Sequence, residues 1–336
     1  MVALASRCPL GLEAFPQKSL GLGMNQDLVS VAILSYKREG ALANTLASVQ
    51  MQSYKPCEII VVDNGSEDGI EDFVHRSFPG VRVVPLPKNI GTVARNRGVE
   101  QASGSIVVML DNDVSFDSAF ELQRIVNAFS RQPEADCIVF KVMNATGETL
   151  HVRDWCHPRS YLRFQDAEFE TPYITEGACA FRREAFLRID GYYEPLFIGH
   201  EGWDLALRLL DQGGRIVYNP AVRVRHAALR DSTRSNLRPY YYYTRNYIWI
   251  AARNYPLGSA VPFLLKYMGM MAYFSVRVGH LAAFGRGIRD GLAGLPTVWR
   301  TRKPFSKATG RTLRNLSRER PGLIAAWRRH RERPQI

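Results

Sequence analysis

The stretch GSIVVMLDNDVSF, residues 104–116, decides the fold class. Its apolar run, Ile106 to Leu110, has the length and composition of a strand that is buried on both faces. The run ends abruptly in Asp111, Asn112 and Asp113. Acidic and amide side chains directly after a buried strand indicate that a polar site lies where the strand ends.

Three further apolar runs precede this strand, and helical patterns separate them. The predicted strands are residues 28–36, 57–63, 81–86 and 104–110, and the helical patterns are residues 39–52, 68–78 and 89–103. Strands that alternate with helices at this spacing predict an α/β fold with a doubly wound, mostly parallel sheet. In such sheets, ligands bind beyond the carboxyl ends of the strands, so we expect the site at that edge.

Polar residues stand at three of the predicted strand ends. Ser35 and Tyr36 end the first strand and Asp63 ends the second, while Asp111 and Asp113 follow the fourth. In an extended backbone, Asp111 and Asp113 point the same way, and their carboxylates repel unless a cation lies nearby. A hard divalent ion such as Mg²⁺ or Mn²⁺ takes oxygen ligands and shares them with substrate phosphates. A solvated acidic turn is the alternative interpretation of this motif.

Charge and cysteine content narrow the class of protein. The chain has 336 residues and a net charge of +12, which favours an anionic partner. Much of the positive charge lies in residues 302–333, whereas a nucleic-acid-binding protein would interleave basic and aromatic residues across its sheet.

None of the five cysteines forms a CxxC pair, so a reducing, cytoplasmic compartment fits best. Residues 1–27 lack the pattern of a signal peptide and are predicted to be a disordered leader, with Met24 as an alternative start.

Several motifs occur in a characteristic order between residues 28 and 250. They are VAILSYKR, IIVVDNGSEDG, NIGTVARNRG, VVMLDNDV and TEGACAFRREAFLRIDGYYEPLFIGHEGWDLALRL. Together they resemble the family 2 glycosyltransferases with the GT-A fold, of the bacterial rhamnosyltransferase-like type. The resemblance implies a nucleotide-sugar donor half at residues 28–135 and an acceptor half at residues 136–239. Residues 240–336 then form an aromatic and amphipathic helical extension with a basic tail.

The resemblance assigns roles to the residues that match the donor motifs. Ser35 and Tyr36 match positions beside the nucleotide base, and Asp63 matches a carboxylate that accepts a hydrogen bond from a pyrimidine N3–H. Asn89 and Gly91 match the turn that opens the following helix. These matches imply a UDP- or dTDP-sugar donor, although Asp63 and its neighbours could also form a simple turn.

Four further matches concern the diphosphate and a metal ion. Arg95 matches an arginine near the base and diphosphate, and Asp111 matches an acid close to the ribose and the metal. Asp113 matches the direct metal ligand, and His226 matches a histidine that completes the coordination of Mg²⁺ or Mn²⁺. For Arg95 a solvated helix charge remains the alternative, and for His226 a satisfied core histidine.

The sequence departs from the family at the general base. The family commonly carries Glu-Asp at the start of the acceptor-side helix, but Gly202 stands here in place of the catalytic aspartate, between Glu201 and Trp203. Glu201 is therefore our first candidate for the base, and Asp204 is the second. Asp204 can instead pair with a basic residue one turn later on the helix. Glu176 is a further acid near the expected acceptor cleft, where it could contact a sugar hydroxyl. It is the next candidate for the base if neither Glu201 nor Asp204 serves.

The C-terminal region carries a pattern typical of a helix at a membrane interface. Lys266, Tyr273, Arg277 and His280 fall on one helical stripe among apolar residues. The apolar stretch between Lys266 and Arg277 is shorter than the roughly 20 residues that a spanning helix needs. We expect a peripheral protein at the inner face of a membrane with an anionic surface; a core helix with a solvated tail is the alternative.

The function predicted from the sequence is sugar transfer. The resemblance implies an inverting, metal-dependent glycosyltransferase that acts on a glycan or lipid-linked acceptor in cell wall or polysaccharide biosynthesis. Three alternatives remain open at this point. They are a nucleotidyltransferase, an inactive sugar-nucleotide-binding scaffold suggested by Gly202, and a nucleic-acid-binding protein.

Overall fold

The computed structural model describes residues 28–148, 155–227 and 237–318. The predicted leader at residues 1–27 and the end of the basic tail from residue 319 lie outside these ranges.

One mixed sheet runs through the molecule. Its strands are β1 Val29–Ser35, β2 Cys57–Asp63, β3 Arg82–Pro85, β4 Ile106–Asp111, β5 Val114–Phe116, β6 Ala135–Asn144, β7 Phe169–Glu170, β8 Ala178–Arg182 and β9 Arg215–His226. Their order across the sheet is β3-β2-β1-β4-β8-β6-β9-β5, and β7 pairs with β9. The first four strands pair in parallel, whereas β8 is antiparallel to both β4 and β6. The parallel part carries the strands predicted from residues 28–110.

The helices lie on both faces of this sheet and beyond its end. They are α1 Glu39–Gln50, α2 Ile70–Ser77, α3 Arg95–Gln101, α4 Glu121–Arg131, α5 Tyr161–Phe164, α6 Arg183–Arg188, α7 Glu201–Asp211, α8 Arg238–Asn254, α9 Leu257–Val278, α10 Leu281–Ala293, α11 Leu295–Arg300 and α12 Lys307–Leu316. The acceptor-side helix expected around Gly202 is α7. Because successive strand residues face opposite sides, both faces need a helical cover.

Alternate residues of β4 show how the two faces are buried. Val108 and Leu110 pack in the cluster that contains the apolar faces of α1, α2 and α4. Val107 and Met109 pack in the opposite cluster, with α3, α6 and α7. All four side chains are fully buried. The doubly wound α/β architecture predicted from the sequence is therefore confirmed.

The C-terminal helical extension is also confirmed, and it packs against α7 in the preceding part of the chain. Phe263 and Tyr267 of α9 share a buried cluster with Leu207 of α7 and Tyr247 of α8. Phe305, within the predicted basic tail, is 8% exposed and joins the same cluster. None of the helices in residues 28–148, 155–227 and 237–318 combines the length and apolarity that membrane crossing requires. Because residues of the extension are buried in this cluster, the extension stabilises the fold.

Candidate functional site

The parallel strands bring their polar ends together at one edge of the sheet. In the strand register, Ser35 lies opposite Asp63, and Leu34 lies opposite Asp111. Asp63 is 8% exposed, and its Oδ1 accepts hydrogen bonds from the backbone N–H and the hydroxyl of Ser66. This bonding fixes the Asp63 carboxylate beside the strand ends, while its contact with a nucleotide base stays a prediction.

The turn at residues 89–91 is held in place by an asparagine that follows β2. Asn64 donates from Nδ2 to Asn89 Oδ1 at 3.1 Å and to the Gly91 carbonyl at 3.0 Å. Gly91 has φ +82°, and a Cβ on it would lie 2.1 Å from the Phe197 carbonyl oxygen. Only glycine fits this backbone position, since other residues would be strained and would clash. The turn is thus rigid, and it opens the helical segment that carries Arg95.

Arg95 and Asp111 form an ion pair at the centre of the site. Nη2 of Arg95 contacts Oδ1 of Asp111, and the arginine side chain is 4% exposed. Although burial alone would lower the pKa of Arg95, the Asp111 carboxylate and its neighbours raise it, so the guanidinium stays charged. Asp111 is 32% exposed and keeps one side towards the cavities. A buried, permanently charged guanidinium at this point can attract an anionic group.

Asp113 lies between two cationic or potentially cationic partners. Its Oδ2 accepts from Arg38 Nη1 at 2.8 Å, and its Oδ1 lies 3.3 Å from His226 Nε2. The hydrogen bond with Asp113 raises the pKa of His226, while His226 and Arg38 outweigh burial and lower the pKa of Asp113. The backbone joins the same residues, because Ala227 N donates to Asp113 O at 2.8 Å. The structure thus brings Asp113 and His226 together, while their binding of a metal ion stays a prediction.

These side chains fit an open metal site that is completed by substrate. A carboxylate oxygen and an imidazole nitrogen are both ligands for divalent ions, and Asp113 and His226 present them 3.3 Å apart. Within the part of the chain that the structure describes, no group of three His, Cys, Asp or Glu residues forms a ready cage. Asp111 is engaged by Arg95. Two protein ligands with free positions suit an ion that also binds diphosphate oxygens.

Two cavities open at this edge of the sheet. The first has a volume of about 400 Å³ and is lined by Leu34, Tyr36, Arg38, Asn64, Asn89, Gly91, Thr92, Arg95, Asp111, Asn112, Asp113, Phe197, Ile198, His226, Arg238 and Tyr242. We call it the donor cavity. It gathers most of the predicted donor-binding residues, whereas Ser35 and Asp63 do not line it. Its arginines make it a suitable place for a diphosphate.

The second cavity has a volume of about 450 Å³ and is lined by Asp111, Val114, Phe140, Lys141, Val142, Trp155, Cys156, His157, Tyr161, Gln165, Thr175, Glu176, Ala178, Tyr218 and His226. We call it the acceptor cavity. Trp155 is central to its aromatic wall and lies 5.2 Å from Tyr218 and 5.5 Å from Tyr161, ring centre to ring centre. The two cavities share Asp111 and His226. Groups bound in both cavities would therefore meet beside those two residues.

The first candidate for the base, Glu201, faces neither cavity. It is 5% exposed, and its Oε1 lies 3.9 Å from Arg95 Nη1. Its other oxygen is buried and has no hydrogen-bond partner. Burial raises the pKa of Glu201, and Arg95 offsets part of that rise. This position suits a residue that acts on Arg95 more than one that contacts an acceptor hydroxyl.

The second candidate, Asp204, is engaged in a buried ion network. Its Oδ2 accepts from Nε and Nη2 of Arg208 at 2.9 and 2.7 Å. Its Oδ1 accepts from Arg253 at 2.9 Å and from Asn254 at 2.6 Å. Asp204 is fully buried and lines neither cavity. The Arg208 pair that was the alternative for this residue is present, and the network joins α7 to α8, so the geometry argues against a base role.

Some cavity residues had no role in the sequence-based prediction. Arg38, which pairs with Asp113, and Asn64, which holds the 89–91 turn, both follow strand ends within the recognised motifs. Their proximity to Ser35 and Asp63 was the available signal. By contrast, Trp155 lies far from every motif in sequence and reaches the site only through the folding of the acceptor half.

The proteins that this chain resembles in sequence are named as glycosyltransferases. Residues 30–189 match the family described as Glycosyl transferase family 2. The chain is 29% identical over 187 residues to the Bacillus subtilis protein "Uncharacterized glycosyltransferase YwdF", a match that covers 54% of this chain and 67% of that one. It is 24% identical over 265 residues to the Mycobacterium tuberculosis N-acetylglucosaminyl-diphospho-decaprenol L-rhamnosyltransferase, covering 68% and 85% of the two chains.

Solved structures share the fold at low sequence identity. The Staphylococcus aureus TarS fragment 1–349 in complex with UDP-GlcNAc aligns with a TM-score of 0.57 at 18% identity, covering 82% of this chain and 83% of that one. The mannosyltransferase PcManGT from Pyrobaculum calidifontis, with GDP-Man and Mn²⁺, aligns at 0.54 and 18%, covering 92% and 88%. GalNAc-T7 with UDP, GalNAc and Mn²⁺ aligns at 0.54 and 19%; the match covers 70% of this chain but about half of that longer protein, 49%.

Sequence and structure therefore agree on one class of protein. The sequence matches come from the strands and helices that build the donor cavity and the start of the acceptor half. The structural matches extend over most of the described chain. Residues 30–189 belong to glycosyl transferase family 2, and the chain is a glycosyltransferase with the GT-A fold.

Proposed function

We propose that the enzyme transfers a sugar from a UDP- or dTDP-sugar to a hydroxyl group of a glycan or lipid-linked acceptor, with inversion at the anomeric carbon. The observation that carries this proposal is the meeting of two cavities at Asp111 and His226. One cavity is lined by arginines and the other by aromatic rings, as a diphosphate and a sugar acceptor require. A nucleotidyltransferase would not need a base that activates an acceptor hydroxyl.

The donor cavity supports the departure of a nucleoside diphosphate. Arg95 is buried and permanently charged, and Arg38 lies at the rim with 55% of its side chain exposed. Both guanidinium groups can hold diphosphate oxygens through paired N–H donors. Asp113 and His226 would hold a divalent ion, which when bound would stabilise the negative charge that develops on the leaving diphosphate.

The relatives point to the acceptor class. The mycobacterial relative acts, by its name, on an N-acetylglucosaminyl-diphospho-decaprenol, and its match spans 85% of its length. In the present chain the acceptor cavity also contains Lys141, which is 11% exposed and pairs with Asp166 at 2.5 Å. A sugar on the aromatic wall and a phosphate near this cation would fit an acceptor of that type. Transfer to such a polyprenyl diphosphate sugar would belong to cell wall or polysaccharide synthesis.

A donor panel tests the proposed function. UDP- and dTDP-sugars would be added one at a time to the full chain with Mn²⁺ or Mg²⁺, together with a short-chain prenyl diphosphate N-acetylglucosamine. We expect one donor to yield a glycosylated product with the opposite anomeric configuration and one equivalent of nucleoside diphosphate. Release of sugar 1-phosphate, with the nucleoside monophosphate group attached to the acceptor, would instead identify nucleotidyl transfer, and binding without any turnover would identify a scaffold.

A peripheral membrane position would suit this acceptor, and one face of α9 supports it. Leu257, Val261 and Leu265 follow each other at helical spacing and are 64%, 59% and 72% exposed. Lys266 and Arg277 lie on the same helix. Exposed apolar side chains beside cations are the features of a helix that lies on an anionic lipid surface.

Vesicle binding tests this position with the full chain, because α9 also packs into the core. Leu265→Glu should weaken sedimentation with vesicles of phosphatidylglycerol and phosphatidylcholine, and added salt should weaken it in the parent. Met51→Glu is the matched control, since Met51 is 68% exposed at the end of α1. Equal binding of Leu265→Glu and the parent, or no binding of the parent at low salt, would contradict the membrane position.

A further inference from the structure

The carboxylate of Glu176 fills the space that a side chain at position 202 would need. A Cβ placed on Gly202 would lie 2.4 Å from Glu176 Oε1 and 2.6 Å from the Ile174 carbonyl oxygen. Contacts this short do not occur in real proteins, so residue 202 can only be glycine while Glu176 holds its present position. The missing aspartate and the presence of Glu176 are therefore two aspects of one local arrangement.

The Glu176 carboxylate is also tied to the start of α7. The backbone N–H of Gly202 donates to Oε1 of Glu176 at 2.6 Å. This N–H belongs to the first turn of the helix, where backbone donors have no partner within the helix. A carboxylate on the loop before β8 therefore takes the place that a helix residue would otherwise occupy.

The next residue fixes this loop against the centre of the site. Gly177 has φ +72°, and a Cβ on it would lie 2.3 Å from Cγ of Asp111. The backbone N–H of Asp111 donates to the Gly177 carbonyl at 3.3 Å. Glu176 therefore lies immediately beside Asp111, one of the two residues that both cavities share. It lines the acceptor cavity and is partly exposed there, whereas Glu201 is 5% exposed.

We propose that Glu176 is the catalytic base that deprotonates the acceptor hydroxyl, and that it replaces the aspartate missing at Gly202. This inference rests on the proposed function. In the step, the acceptor oxygen forms a bond to the anomeric carbon of the donor while its proton passes to the Glu176 carboxylate. The bond between the anomeric carbon and the diphosphate oxygen breaks, and the diphosphate leaves with the electron pair. The protonated Glu176 then releases its proton to water through the acceptor cavity.

The surroundings of Glu176 favour proton uptake. Its burial, and then the nearby Glu201 carboxylate, raise the pKa of Glu176 above the ordinary value for glutamate, while Arg95 offsets part of that rise. A base whose pKa lies nearer to the working pH accepts a proton more effectively than an ordinary carboxylate does. Glu201 then has a positioning role, because its carboxylate keeps Arg95 in place. Its negative charge also favours the protonated form of Glu176.

Two substitutions at the same position test the base. Glu176→Gln keeps the shape and an oxygen that can accept the Gly202 N–H, but it removes the basic group. Glu176→Asp keeps the carboxylate but shortens it by one methylene, and it weakens that hydrogen bond. For a catalytic base we expect kcat to fall by about 10²–10⁴ in Glu176→Gln and by less in Glu176→Asp. Donor affinity should stay within about threefold in both.

Glu170→Gln is the matched control, because Glu170 precedes the same loop and pairs with Arg215 at the surface, with 40% of its side chain exposed. It should retain parental kcat. Glu201→Gln should lose less kcat than Glu176→Gln. Parental kcat in Glu176→Gln, a larger loss in Glu176→Asp, or loss of donor binding in Glu176→Gln would each overturn the assignment. An active parent with an active Glu176→Gln contradicts this inference alone, whereas a parent without transfer in the donor panel contradicts the proposed function on which it rests.

Discussion

Replacement of Asp204 by asparagine separates a structural role from a catalytic one. The Asp204 carboxylate receives four hydrogen bonds, three of them from the charged groups of Arg208 and Arg253. Asparagine keeps one acceptor oxygen but presents an NH₂ group to the donors on the other side. Two of the donors then lose their acceptor in the interior.

The loss of stability can be worked out from these contacts. A hydrogen bond to a charged group contributes about 1.5–3 kcal/mol, so two lost bonds correspond to about 3–6 kcal/mol. Breaking one partner of a buried ion pair costs about 3–5 kcal/mol, which agrees. We therefore expect Asp204→Asn to lower the free energy of unfolding by about 3–5 kcal/mol and Tm by roughly 5–15 °C. Glu170→Gln, which breaks a half-exposed pair, should cost only about 0–1 kcal/mol.

The pH dependence of this loss has a defined sign. Burial by itself would raise the pKa of Asp204, but Arg208, Arg253 and Asn254 hold it below the ordinary value. A group with a depressed folded-state pKa stabilises the protein above its unfolded-state pKa, and that stabilisation is lost as the pH falls through the folded-state pKa. The difference between the parent and Asp204→Asn should therefore be full near neutral pH and shrink below roughly pH 4.

Urea denaturation followed by circular dichroism, at neutral pH and under acid conditions, would measure both effects. The folded fraction of Asp204→Asn should still turn over substrate, because Asp204 reaches neither cavity. Refutation would come from a variant of parental stability that has lost its activity, since that result would make Asp204 the base.

Three further predictions concern the cavities. Asp113→Asn should weaken Mn²⁺ binding at least tenfold, measured by calorimetry in the presence of UDP or dTDP. EDTA should stop transfer by the parent protein until Mn²⁺ or Mg²⁺ is restored. Full turnover in excess EDTA would contradict a metal-dependent reaction. Tyr161→Ala should raise the acceptor KM about tenfold at nearly constant donor affinity; an unchanged acceptor KM would exclude the aromatic wall as the acceptor site. Gly202→Ala should lower kcat about as much as Glu176→Gln, because its methyl group displaces the Glu176 carboxylate; parental kcat would show that the carboxylate has room to move.

The sequence by itself determined the parallel half of the sheet and the edge where the two cavities open. The strands β1, β2 and β4 are buried on both faces, so each reads as an apolar run that ends in Ser35, Asp63 or Asp111. Such local patterns can be recognised without knowledge of long-range contacts. They also indicate one edge of the sheet, because parallel strands place their carboxyl ends at the same edge. The pairing of Asp113 with His226 was accessible only through the family resemblance, since β5 and β9 are distant in sequence.

Only the tertiary structure decided the surroundings of the acidic residues Glu176, Glu201 and Asp204. Asp204 and Glu201 are separated by two residues on one helix, yet one meets Arg253 of α8 and the other meets Arg95 of α3. Likewise, Glu176 and Gly202 are distant in the chain, and no local pattern shows that one fills the space left by the other. The burial, the charge partners and the available volume of a side chain depend on elements from different parts of the chain. They can therefore be determined only when those elements are packed together.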